Sequence, residues 1–135
     1  MTMKSVELRL PAAPTAPAEA RAVVEAIGSD LPEAVLVDAK LLLSELVSNA
    51  IKHASRDRQA VIVRIRRNHF VRVEVLDPGP MFKPDPRPPG TGAGSGRGLF
   101  VVDRVANAWG VEPDEAGKKV WFELRLAKGE GDGSL

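Results

Sequence analysis

The sequence predicts an α+β fold: a two-layer sandwich of a mixed, mostly antiparallel sheet with helices on one face. Three observations carry that reading. Val6, Leu8 and Leu10 alternate with polar neighbours, as do residues 60–67 and 70–76, which is the period of a half-buried strand. Two long segments before residue 55, and a third after Gly98, repeat their apolar residues at helical spacing instead. The strands in the second half come as two pairs, 60–67 with 70–76 and 108–113 with 119–127, each joined by a short turn, so hairpins connect the partners.

Each element has local signals. The first helix runs from about Pro17, a residue suited to a first turn, to a stop at Gly28. The second begins near Pro32 and continues to about Ala54. At 100° per residue its Leu43, Leu46, Val47, Ala50, Ile51 and Ala54 gather on one core-facing stripe. Strands 60–67 and 70–76 meet at Asn68-His69, a two-residue hairpin connection. A helix over 97–106 precedes a last strand pair, 108–113 and 119–127, turning over Asp114 to Lys118. Residues 1–128 are expected to form one domain, and 129–135, rich in Gly, a disordered tail.

Composition narrows the class. A chain of 135 residues is long enough for one domain with a real core. It has no cysteine, which excludes disulfides and thiolate metal sites. No apolar run reaches the length of a membrane span, no signal-peptide pattern opens the chain, and a cytoplasmic protein is expected. The net charge of +1, with acids and bases interspersed, does not suggest direct nucleic-acid binding. Arg64, Arg66, Arg67 and Arg72 fall on adjacent strands and read as a solvated sheet face.

Three segments suggest chemistry. In LLLSELVSNAIKHA, Glu45 and Asn49 stand about 40° apart on a face different from the apolar stripe. Asp38 is in line before them, and Leu41 and Leu42 fall near that polar stripe. An Asn is a mediocre helix former because its amide competes for backbone hydrogen bonds, so one in mid-helix invites a functional reason. Taken alone, the two residues also fit an ordinary exposed pair. In VEVLDPGP, Asp77 closes a strand and is either a turn residue or a fixed acceptor for the amino group of a purine. In GTGAGSGRGLF, alternating glycines run into a helix start, where freed N–H groups and the helix dipole can face phosphate. The same run fits a flexible surface loop. It lacks the Gly-Lys-Ser/Thr ending of a P-loop and does not follow a strand directly as a dinucleotide fingerprint would.

In this order the three segments resemble the GHKL ATPase superfamily, and more narrowly the small anti-sigma-factor serine kinases of bacterial partner-switching systems. ELVSNAIKHA is similar to that family's N box, DPG to its first glycine box, SGRGLFVVDRVANAWGV to its second and GKKVWFEL to its closing strand. The resemblance extends from about residue 4 to residue 127 and implies the Bergerat-type ATP-binding fold. It implies an anti-sigma factor that is also an ATP-dependent protein-serine kinase acting on an anti-sigma-factor antagonist, with ATP and Mg2+ as cofactors. Glu45 would be the catalytic base and Asn49 the magnesium ligand. Lys52, Asp77, Gly79, Gly94, Gly96, Arg97, Gly98 and Leu99 would join Asn49 in holding the nucleotide. Partners would be a sigma factor and its antagonist, with a homodimer possible. Two departures stand out: Met81 holds the place of the first box's second glycine, and Lys119 that of a Thr near the adenine-binding Asp. They make a non-catalytic, regulator-binding module of the same fold, with weak or no ATP binding, the alternative expectation. Asp77→Asn is expected to weaken ATP binding and leave the fold intact.

Overall fold

The computed structural model describes residues 4–54, 60–78, 97–115 and 117–126. The elements in chain order are β1 (Lys4–Leu10), α1 (Ala16–Ile27), α2 (Glu33–Ala54), β2 (Val61–Arg67), β3 (Phe70–Asp77), α3 (Arg97–Val105), β4 (Ala108–Asp114) and β5 (Gly117–Arg125). The expected tail at 129–135 lies outside the described residues.

The strands form one sheet in the order β1-β2-β3-β5-β4, and every pairing is antiparallel. β2 and β3 are joined through Asn68 and His69, where the Asn68 side chain accepts the Phe70 N–H at 3.2 Å. α1 begins with Pro17 in its first turn, where a missing N–H costs nothing.

Strand periodicity sorts residues onto two unlike faces. On one face Val61, Val63, Ile65, Val71, Val73, Val75, Val120, Phe122 and Leu124 are buried. There α2 packs on the central strand β3 and touches β2 and β5, while α1 and α3 flank α2. Burying each such side chain contributes roughly 1.5–3 kcal/mol. α2 contributes Ala39, Leu42, Leu43, Leu46, Val47 and Ala50 to this core, and α3 contributes Leu99 and Val102. Leu42, expected beside the polar stripe, is therefore a core residue at 0% exposure, while Leu41 is exposed.

Among the described residues no helix covers the opposite face, which carries charge. The buried Glu74 lies among Arg64 at 4.0 Å, Arg66 at 3.4 Å, Arg72 at 3.0 Å and Lys119 at 3.9 Å. Arg72 also bonds Glu123 at 2.8 Å and lies 4.2 Å from the centre of the Trp121 ring. Burial alone would push the Glu74 carboxyl up; the hydrogen bond from Arg72 and the charges of Lys119, Arg72 and Arg66 outweigh it and hold the group below the ordinary carboxylate value. Burial likewise opposes the charge on Arg72, and its bonds to Glu123 and Glu74 more than restore it. Of the four expected arginines, Arg67 stands apart and pairs with Asp30 instead.

The last hairpin differs from expectation in one consequential way. β5 starts at Gly117, two residues before the expected start, and β4 runs to Asp114. Asp77 then faces Lys118, and Lys119 faces Leu76. The residue beside Asp77 is Lys118, not Lys119. Because successive side chains alternate faces, that single step moves Lys119 to the open side of the sheet. There it bonds Glu112 at 3.3 Å.

Candidate functional site

Glu45 and Asn49 occupy the boundary of α2, half-buried beside the buried Leu42 and Leu46. Among the described residues, neither side chain is taken up by a hydrogen bond or an ion pair. A carboxylate and an amide held this way on a rigid helix remain available to a ligand. Asp38, one row earlier, is also half-buried, whereas Lys52 is exposed.

Asp77 ends β3, the strand on which α2 packs, and points to the same face as Val71, Val73 and Val75. Its side chain is 3% exposed and lies 3.2 Å, Oδ1 to Nζ, from the Lys118 side chain, which is 0% exposed. Gly117 brings the two together. Its φ is +150°, and a Cβ there would come within 2.8 Å of the Pro78 carbonyl carbon, so only glycine lets β5 begin this close to the Asp77-Pro78 backbone. A purine-reading role for Asp77 must therefore operate with a buried ammonium alongside.

Arg97 and Gly98 open α3, which packs on α2. Leu99, expected at the nucleotide, is 1% exposed and sits in the core. Gly79, Gly94, Gly96 and Met81 lie outside the described residues. The structure thus places Glu45 and Asn49 together on α2, with the strand that carries Asp77 beneath that helix.

Magnesium is a hard cation that prefers oxygen ligands and keeps several waters. No group of three or more His, Cys, Asp or Glu among the described residues is arranged to hold a metal. The donor chemistry suits an ion that arrives with phosphates, the Asn49 amide oxygen adding one ligand. The carboxylate of Glu45 is one turn away on the same helix.

Lys118 was missed by sequence reasoning, although a signal existed. Val120, Phe122 and Leu124 alternate inward, and the same period of two counted backwards puts Lys118 inside and Lys119 outside.

Residues 10–124 match the family model of the histidine kinase-like ATPase domain. The chain belongs to this family. Its fold is similar to the crystal structure of the RsbU and RsbW domains of Rv1364c from Mycobacterium tuberculosis, with a TM-score of 0.71 and 18% identity. That likeness covers 91% of this chain and 32% of the other, so the chain spans about a third of the length of that protein. Comparison with curated proteins finds no match. No helix among the described residues is long and apolar enough to cross a membrane.

Proposed function

We propose that the chain is an anti-sigma factor and an ATP-dependent protein-serine kinase, acting in the cytoplasm on an anti-sigma-factor antagonist. The observation that carries this is the half-buried Glu45 and Asn49, side by side on α2 and engaged by no described neighbour. Family membership and the RsbW domain in the similar crystal structure support the same reading. In it Asn49 ligates a nucleotide-borne magnesium, and Asp77 meets the base. Gly79, Gly94, Gly96, Arg97, Gly98 and Leu99 form or back the phosphate loop, and Lys52 adds positive charge at its rim. When bound, magnesium and ATP supply the phosphoryl group and neutralise its developing charge. Glu45 holds and deprotonates the attacking serine hydroxyl. Binding of the sigma factor and pairing of two copies of the chain belong to the same proposal.

Phosphotransfer from labelled ATP to a serine-bearing antagonist tests it. Glu45→Ala is expected to keep ATP affinity within a few-fold and to lower transfer by roughly 10²–10⁴, the usual contribution of a general base. Transfer at the wild-type rate would remove Glu45 from the mechanism.

The buried Asp77–Lys118 pair favours a second reading, the non-catalytic regulator-binding module. A nucleotide-binding chain should gain about 2.7 kcal/mol of stability at a hundredfold excess of Mg-ATP over its dissociation constant. No gain at millimolar Mg-ATP, with the sigma factor still bound, would leave the module standing.

A further inference from the structure

We propose that the outer row of α2 before Glu45 docks the protein substrate, through an extended segment with an aliphatic side chain two residues from its serine and a Lys or Arg four residues from it; this rests on the kinase reading with Glu45 as the base. Val37, Leu41, Glu45 and Asn49 follow one another at four-residue intervals along α2. Each step advances about 6 Å along the axis and about 40° around it, so the four form one slanting row. Its character changes along its length. Val37 is 52% exposed and Leu41 42%, the large hydrophobic side chains left open among the described residues. Glu45 and Asn49 are half-buried.

A general base works within about 2.6–3.2 Å of the hydroxyl it serves, so the protein that carries the serine lies against α2 beside Glu45. α1 closes one side of the row, where Lys40 pairs with Glu25 and Arg21 donates to Ser44. α3 packs on the same helix. Among the described residues, the surface open next to Glu45 toward the start of α2 is Leu41 and then Val37. An extended chain returns its side chains to one face every two residues, about 6.6–6.8 Å, and the row repeats about every 6 Å. The two spacings stay matched over two steps. With the serine at Glu45, the side chain two residues away covers Leu41, which suits an aliphatic group, and the one four residues away crosses Val37. Beside Val37 stands Asp38, half-buried and paired with no cation among the described residues. A Lys or Arg there lays its aliphatic stem on Val37 and brings its charge to Asp38. The transfer is that of the kinase reading: the serine oxygen takes the terminal phosphoryl group of ATP, its proton passes to Glu45, and ADP leaves.

Transfer from labelled Mg-ATP by the whole chain to end-blocked, glycine-flanked peptides tests the proposal. The probes are Ser-Ala-Leu-Ala-Arg and its reverse, Arg-Ala-Leu-Ala-Ser; controls replace Leu, Arg or both by Ala. One direction is expected to show a KM at least about tenfold below that of its doubly substituted control. Leu41→Ser should raise that KM about tenfold with kcat and Mg-ATP affinity held, and the exposure of the side chain protects the fold. Asp38→Lys should reverse the charge preference, favouring a peptide with Glu in place of Arg, which a merely structural Asp38 would not do. Equal labelling of probes and controls overturns the proposal and leaves the kinase reading intact, as does an unchanged KM in Leu41→Ser or an unchanged charge preference in Asp38→Lys. So does a chain that phosphorylates a serine-bearing antagonist but no peptide. A chain that transfers phosphate to no serine at all overturns both.

Discussion

Strand β3 carries two buried carboxylates three residues apart, Glu74 at 4% exposure and Asp77 at 3%, and they face opposite sides of the sheet. Glu74 lies on the uncovered face within 4.0 Å of four cations whose own side chains are 22–50% exposed. Asp77 lies on the helix-covered face against Lys118, which has no exposed side-chain area. Equal burial therefore has unequal consequences. If Glu74 is neutralised, its partners turn back to water at small cost. If Asp77 is neutralised, the ammonium stays in the interior. The first arrangement suits a stable sheet surface, and the second ties a strand end to a charge buried with it.

The largest effect expected from this comparison comes from Asp77→Asn. Breaking a buried pair by removing one partner costs about 3–5 kcal/mol, so the variant should lose much of its stability as well as nucleotide affinity. That replaces the expectation, drawn from Asp77 alone, that the fold would be untouched. Urea midpoints check it, and adding Lys118→Met to Asp77→Asn should restore most of the loss, since an apolar chain of similar volume needs no counter-charge. A single variant as stable as wild type would erase the distinction between the two carboxylates.

The next effect is on the backbone that sets the pair. Gly117→Ala puts a Cβ 2.8 Å from the Pro78 carbonyl carbon at a φ of +150°. A residue forced into such a conformation costs roughly 1–3 kcal/mol. The strain falls on the contact between β5 and the end of β3, so nucleotide affinity should drop together with the melting temperature. Lost stability with unchanged affinity would mean the Asp77–Lys118 contact does not depend on this glycine.

Much of the molecule was legible before the structure. The apolar stripe of α2, the Asn68-His69 turn and the alternation of Val71, Val73 and Val75 each follow from a single period and its breakers. So does the order of the three motifs on which the family resemblance rests. What escaped were features that depend on register between distant strands. The period of Val120, Phe122 and Leu124 turns Lys118 inward, but its pairing with Asp77 depends on where β5 begins against β3. Glu74 escaped for a related reason. Its strand was read for the inward valines, and the arginines opposite it were seen as a solvated surface. That surface does exist, but it closes over a carboxylate that no single strand reveals. Met81 and residues 90–96 of the glycine run contribute nothing to this account, since they lie outside the described residues.

The smallest effect concerns Glu74 and works through protons. Its folded value is held below the ordinary carboxylate value because the Arg72 hydrogen bond and the surrounding cations outweigh burial. A group shifted that way binds protons more readily in the unfolded chain than in the folded one. Its contribution to stability is therefore complete above its unfolded value. It declines as pH falls through the unfolded value, and is gone below the lower, folded one. Glu74→Gln should cost of order 1 kcal/mol at neutral pH, because the cations it leaves behind are solvent-exposed and regain water. The same variant should flatten the acid limb of stability against pH, so that wild type and variant converge under acid conditions. Raising salt should narrow the gap at neutral pH, since the partners are screened where they meet solvent. Chemical unfolding from pH 7 down through the carboxylate range measures all three. Parallel curves that never converge would mean that the Gln is tolerated or rejected on packing alone. Glu74 would then be a shape in the sheet surface, and the contrast with Asp77 would no longer be one of charge.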